Sequence, residues 1–390
     1  MNAAGIIVEF NPMHLGHKMH INETRKLTGK NIVAVMSGNF VQRGEPAICD
    51  KWWRTKMALL HGVDIVLEIP VPYVISGVDY FARGSVGILA ATGVVDTLSF
   101  GSECGDLTAI IEAGRILAEE PDNYKNCLQL SIKNGMSFAA ARGVALESAL
   151  THSPEGLLTK PNNGLAMEYC KALHLLGNPM KVFTTHRQSG GVSATKIRKA
   201  FRDGEILPNT LPANCLEMLL EAKEKGEIAA LDDFSDILRY LLYRLDSLKL
   251  TEGLENRFRK FAGENKKISD LIATVKTKRY THTRLQRTVL QIILGITPDD
   301  MADYDQFGGP QYIRVLGFRK DAAKLLGEMT RKATLPVITY GAAMDEILSS
   351  NSLAAKMLAK ELEAGDIYRL ATGASGGYRS ERGAGIMIQT

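Results

Sequence analysis

Five short apolar runs punctuate residues 1–205: Ala3–Val8, Ile32–Met36, Asp64–Ile69, Val94–Phe100 and Met180–Thr185. Between the first four, and after the fourth, lie stretches with helical apolar spacing, at 17–28, 50–61, 77–91 and 106–119. Near-continuous apolar strands are buried on both faces, and strand–helix alternation covers both faces with crossover helices. Right-handed crossovers then give a doubly wound, parallel-sheet α/β domain. Such sheets bind ligands beyond the carboxyl ends of their strands. The segments that follow the runs are therefore where chemistry belongs: Glu9–His17, Gly38-Asn39, Gly101-Ser102 and Arg187.

Residues 121–160 read as helical and connective, with a loop at Thr151–Lys160. The boundary is expected in the loop Leu207-Pro208-Asn209-Thr210-Leu211-Pro212, giving domains 1–205 and 206–390. Beyond it the strand signal fades. Helical patterns at 216–229, 234–247, 267–275 and 282–294 predict a mostly helical domain, with a short sheet near 312–338. The glycine-rich last stretch, with Arg379 and Arg382, reads as a mobile tail.

Composition excludes little but usefully. Hydrophobic residues at 45% and charged residues at 23% describe a soluble globular chain with no apolar run long enough to span a membrane. Five scattered cysteines without a CxxC pair argue against a zinc ribbon and fit reduced thiols in a cytoplasm. A net charge of +4 allows a nucleic-acid partner without demanding one.

The chemistry is concentrated in Met13-His14-Leu15-Gly16-His17, an HxGH box behind the first strand. Two imidazoles three apart at a loop–helix junction can donate to phosphate oxygens as charge builds. Gly16 lets a nucleotide approach the backbone, and the helix start favours anions. A metal site would need a third ligand. His20 is available, but it gives H-x₂-H-x₂-H, and no metal is expected. Far downstream, Ser193, Thr195, Lys196 and Arg198 open a second helix, where hydroxyls, amides and cations can hold β- and γ-phosphates. Asn162 and Asn163 offer amide donors and acceptors for a base or ribose, and Arg187 a fork for phosphate. Gly38–Pro46 reads as a shaped active-site loop, and Asp50 as the N-cap of the next helix. Residues 260–290 hold eight basic side chains (Lys260, Lys266, Lys267, Lys276, Lys278, Arg279, Arg284, Arg287) against two acidic ones, with Tyr280 and His282 interleaved. That composition suits an RNA backbone.

Together these residues resemble the bacterial tRNA(Met) cytidine acetate ligase family, of HIGH-type Rossmann-like nucleotidyltransferase fold. The similarity runs through Val8–His17, Ser37–Ala47, Arg54–Leu59, Phe100–Glu103, Pro161–Asn163, Ser193–Arg198, Thr277–Thr281 and Arg284–Arg287. Gly164 departs from it, standing where the family carries an aliphatic residue. The resemblance implies an AMP-forming ligase that activates acetate with ATP and Mg²⁺ as acetyl-adenylate. The acetyl group then goes to N4 of the wobble cytidine (ac4C34) of elongator tRNA(Met). It implies His14, His17 and Lys196 as catalytic residues. ATP is expected along Ile7, Val8, Glu9, Phe10, Asn11, Pro12, Met13, His14, Leu15, Gly16, His17, Lys18, Met19 and His20, and at Gly101, Asn162 or Asn163, Arg187, Ser193 and Thr195. Lys278, Arg279, Arg284 and Arg287 are expected to meet the tRNA. Two other readings stay open: a small-molecule adenylyltransferase of the HxGH type, and a non-catalytic RNA-binding protein.

Overall fold

The computed structural model describes residues 2–187, 192–244, 253–277, 280–373 and 381–390. Its strands are β1 (Ala3–Val8), β2 (Asn31–Ser37), β3 (Phe40–Val41), β4 (Glu45–Pro46), β5 (Ile65–Ile69), β6 (Val95–Ser102), β7 (Lys181–His186), β8 (Ile313–Arg319), β9 (Val337–Ile338) and β10 (Met387–Gln389). Nine helices accompany the first seven strands: α1 (Leu15–Thr28), α2 (Lys51–Leu60), α3 (Val71–Ile75), α4 (Val78–Ala91), α5 (Leu107–Glu119), α6 (Asp122–Lys133), α7 (Phe138–Ala149), α8 (Pro161–Leu175) and α9 (Ala194–Arg202). Then come α10 (Ala213–Glu224), α11 (Ser235–Arg244), α12 (Leu254–Ala262), α13 (Ile268–Val275), α14 (His282–Leu294), α15 (Pro298–Gln306), α16 (Ala323–Lys332), α17 (Gly341–Ser349) and α18 (Leu353–Thr372).

All five apolar runs become strands of one sheet, ordered β10-β8-β5-β2-β1-β6-β7 with β9 beside β8. The five are mutually parallel. Their order β5-β2-β1-β6-β7 reverses direction at β1, so the crevice of a doubly wound sheet opens between the carboxyl ends of β1 and β6. Period-2 alternation divides the core between the faces. Ile32, Ala34 and Met36 of β2 join Ile21 of α1, Met57 of α2, Phe201 of α9 and Leu219 of α10 on one side. Val33 and Val35 face the other, with Leu89 of α4, Ile110 of α5 and Ala166 of α8.

The boundary expected at 205/206 interrupts neither sheet nor core. The strands expected near 312–338 extend the main sheet: β8 pairs antiparallel with β5 and carries β9 and β10 in parallel. Phe234, Phe258, Leu285, Val289 and Tyr368 of the helical half lie in the same apolar cluster as Val33 and Val35. The tail is a correction where it is described. Met387–Gln389 is a sheet strand, and Glu381 is buried.

Glu381 belongs to a buried ion cluster at the carboxyl end of β5. Lys51 Nζ lies 2.7 Å from Glu68 Oε1 and 3.1 Å from Glu381 Oε2. Arg314 on β8 reaches Glu68 and Glu381, each at 3.0 Å. Burial opposes ionisation of Glu381, yet Lys51 and Arg314 hold its carboxyl down at about 2. Glu361 takes the opposite course. Burial, then the adjacent Glu68 charge, pushes its carboxyl well up, and it accepts the Val71 amide at 2.5 Å. Beside the raised Glu361 carboxyl, Lys51 and Arg314 are the close cations to Glu68 and Glu381, with Arg369 farther off, 3.9 Å from Glu381. Lys51→Met should therefore destabilise the fold by about 3–5 kcal/mol, because it strands a buried carboxylate. Adding Glu381→Gln should restore part of that loss in urea unfolding. A single variant within about 0.5 kcal/mol of wild type would refute the balance.

Candidate active site

The β1–α1 loop delivers the HxGH box to the crevice. His14 is the N-cap of α1, in extended backbone conformation, and His17 lies in the first turn. The two rings stack, centroids 3.7 Å apart. The His14 amide donates to His17 Nδ1 at 3.2 Å, so the proton of a neutral His17 ring sits on Nε2. Phe10 meets the His17 ring edge-on at 5.1 Å. Burial, reinforced by the Arg187 charge, pushes His14 down to about 4, and His20 likewise. Burial, then His14 and Arg187, puts His17 well below the ordinary imidazole value. All three rings are thus neutral at pH 7, each with one N–H to give.

The remaining residues of the ATP stretch divide into framework and surface. Phe10 and Met13 sink into the core beside Ile21 and Phe201. Ile7 and Val8 pair with Val35 and Met36 of β2. Pro12 is buried and Leu15 and Lys18 half-buried, while Gly16 and Met19 face solvent. Asn11 Oδ1 accepts the Ile48 amide at 2.7 Å, the Leu15 amide is held by Thr210 O at 3.0 Å, and His20 Nδ1 meets Thr185 Oγ1 at 2.8 Å. Glu9 accepts the Gln42 amide at 2.7 Å, and burial pushes its carboxyl up.

Across the crevice, Arg187 leaves β7 with its amide on Ser102 O at 2.8 Å. A Cβ on Gly101 would fall 2.9 Å from Arg187 Cγ, which explains a glycine at that strand end. The guanidinium donates to Asn162 Oδ1 at 3.2 Å. Asn163 is spent elsewhere. It is fully buried, its Oδ1 accepts the Glu103 and Cys104 amides at 2.8 and 3.3 Å, and its Nδ2 donates to Gly156 O at 2.9 Å. Glu103 in turn accepts the Asn162 and Asn163 amides and Asn162 Nδ2, at 2.6–3.3 Å. These contacts favour Asn162, at the start of α8, as the residue that faces a ligand. Glu103 had no role in the sequence reading beyond its place in a matching stretch, because an acid after a strand looks like ordinary surface.

Ser193 caps α9 by accepting the Lys196 amide at 3.3 Å, and Thr195 and Lys196 face solvent in the first turn. Arg198 corrects the sequence reading. It is buried, donates to Asn11 O at 2.8 Å and pairs with Glu45 at 2.8 Å, so it anchors α9 to the HxGH loop instead of reaching phosphate. Its position between Ile197 and Phe201 on the apolar face was the available signal. Gly38–Pro46 is indeed shaped. It forms the β3–β4 hairpin, and Arg54 binds Glu9 O, Ser37 O, Gly38 O and Cys49 O from beneath.

The basic helix comes close to this hairpin. A Cβ on Gly44 (φ 81°) would strike the Arg287 amide of α14. Arg284 lies over the Tyr280 ring at 5.5 Å. Burial, then the Arg284 charge, lowers the Arg287 pKa. Lys278 and Arg279 lie outside the described residues, as does Arg379. Among the described residues no group of three or more His, Cys, Asp or Glu could hold a metal ion, and no helix is long and apolar enough to cross a membrane. All five thiols are free.

A family model described as HIGH Nucleotidyl Transferase matches residues 1–381. The tRNA(Met) cytidine acetate ligase of Thermoanaerobacter sp. (strain X514) is 41% identical over 95% of this chain and 96% of its own. The chain belongs to the tRNA(Met) cytidine acetate ligase family. The ligase of Acetivibrio thermocellus is 36% identical over 94% of each chain. Among solved structures, Thermotoga maritima TmcAL bound with α-thio ATP superposes with a TM-score of 0.89 at 32% identity, covering 100% of both chains. The apo form of that ligase gives the same score at 30% identity.

The two asparagines separate cleanly by experiment. Asn163→Ala should destabilise the fold by about 1–3 kcal/mol, since it strands buried backbone groups. Asn162→Ala should stay within about 0.5 kcal/mol and weaken ATP binding. Urea unfolding and ATP titration of both variants check this, and a reversed pattern would exchange their roles.

Proposed function

We propose that this chain activates acetate with ATP and transfers the acetyl group to N4 of the wobble cytidine (ac4C34) of elongator tRNA(Met), in the cytoplasm. The observation that carries the reading is full-length similarity to ligases of that name, joined to an HxGH pair placed at the sheet's crevice. An acetate oxygen attacks the α-phosphorus of ATP, a P–O bond forms, and the bond to pyrophosphate breaks. His14 and His17, neutral and desolvated, can give N–H bonds to phosphate oxygens without first shedding a proton. Lys196 and the amides and hydroxyls at the start of α9, with Arg187, suit the rest of the triphosphate. Magnesium enters as the companion of ATP rather than as an ion caged by the protein. The cytosine N4 amine then attacks the acetyl carbon, the carbon–oxygen bond to AMP breaks, and N4 loses a proton to water. Reaching the site requires the wobble base to leave its stack.

ATP and acetate chemistry is assigned to residues 1–205 and tRNA binding to 206–390. Arg284 and Arg287 support that division. They are like charges on one face of α14, and among the described residues no carboxylate lies at ion-pair distance from Arg287. Such a pair is relieved by phosphate. A small-molecule adenylyltransferase would have no use for this helix, and a non-catalytic RNA binder none for the stacked histidines.

Acetate-dependent pyrophosphate exchange, followed by nucleoside analysis of added tRNA, tests the reading. His17→Ala should keep its circular dichroism and lose about 10²–10³ in exchange rate. Lys196→Ala should weaken ATP use more than tRNA binding. Exchange near the wild-type rate in His17→Ala would remove the ring from the reaction.

The RNA side is tested separately. Arg284→Glu with Arg287→Glu should spare acetyl-adenylate formation and impair acetyl transfer. The log–log salt slope of tRNA affinity should flatten by roughly one unit per lost phosphate contact. Unchanged affinity and slope would make α14 a merely solvated face.

A further inference from the structure

The β3–β4 hairpin touches both expected ligand sites through one carboxylate. Glu45 Oε2 pairs with Arg198 Nη2 at 2.8 Å, and Glu45 Oε1 accepts from Gln286 Nε2 at 3.3 Å. Arg198 is the residue that ties the start of α9 to Asn11 O in the HxGH loop, at 2.8 Å. Gln286 lies on α14, between Leu285 and Arg287, and is buried. The carboxylate thus spans the nucleotide loop and the basic helix.

Two contacts make this bridge stiff. Gly44 sits flush on α14, where even a Cβ would strike the Arg287 amide and fall 2.7 Å from the Gln286 carbonyl carbon. On the other side, Asn11 Oδ1 holds the Ile48 amide just beyond the hairpin, at 2.7 Å. The hairpin therefore cannot shift against α14 without disturbing Glu45, Arg198 or Asn11. Well-packed interfaces transmit displacement because they have little room to deform.

We propose that Glu45 is a positioning residue that couples α14 to the nucleotide loop, so that RNA phosphate bound at α14 tightens ATP binding. The inference rests on the ligase reading for the identity of the two ligands. By linkage the effect is reciprocal: nucleotide tightens RNA by the same factor. The sequence motif around Glu45 gives no hint of this, since both partners lie far along the chain.

The test measures tRNA affinity with and without saturating non-hydrolysable ATP analogue. In the wild type the ratio of the two dissociation constants should be about 5 or more. In Glu45→Gln, which keeps shape but loses the charge that holds Arg198, it should fall to about 1. Gln286→Met provides the second variant. It leaves the Glu45–Arg198 pair in place, so ATP affinity without tRNA should match wild type while the ratio still collapses. A residue that only supported the fold would weaken either ligand and leave the ratio unchanged. A wild-type ratio near 1, or a wild-type ratio retained in Gln286→Met, overturns the coupling. Absence of tRNA binding by the wild type, with or without nucleotide, overturns the ligase reading itself.

Discussion

The guanidinium of Arg54 is the point on which the site's geometry depends. It is completely buried, and its donors go to carbonyls: Cys49 O at 3.1 Å, Glu9 O at 2.7 Å, Ser37 O at 3.0 Å, and Gly38 O. Burial lowers its pKa, yet an arginine remains charged where a lysine would surrender its proton. Carbonyls at the ends of β1 and β2 would otherwise face one another without donors, at the turn where the chain leaves the sheet. Held by one planar fork, the two loops share a fixed spacing. From that spacing the HxGH box enters the crevice and the hairpin reaches α14.

A second layer of polar contacts carries this order outward. Arg198 bonds α9 to Asn11, and Glu103 fixes the first turn of α8 by accepting two of its amides. Arg187 then spans from β7 to Asn162 and adds to the burial that lowers the pKa of the imidazoles opposite. The polar groups at the crevice are few, and Asn11, Asn163 and Arg198, which brace the surrounding loops, are buried. This arrangement suits chemistry in which charge develops on phosphate, because the donors are aimed before the substrate arrives.

Much of this was legible in the chain. The five apolar runs specify the parallel strands, and Asp50 and Ser193 cap the helices that their spacing suggests. The HxGH box follows β1, so a doubly wound sheet places it at the crevice without further information. What the sequence hides is long-range pairing. A short sheet is expected near 312–338, but nothing local names β5 as the antiparallel partner of β8. Glu45 and Glu103 look like solvated charges, and Arg198 like a phosphate ligand, until their partners are known. Asn162 and Asn163 are identical side chains one residue apart, and only the turn of α8 sends one into the protein and the other toward Arg187.

The ion cluster beneath the hairpin joins residues far apart in sequence, since Lys51 is balanced partly by Glu381. During synthesis, strands β1 to β7 leave the ribosome long before that carboxylate does. Domains that are complete in sequence begin folding as they emerge. Here the nascent nucleotide-binding half holds a buried lysine short of one counter-charge, and its sheet lacks β8 and β10 at one edge. Its final packing is thus deferred until β8, Glu381 and β10 have also emerged, which ties the maturation of the crevice to residues made well after β7.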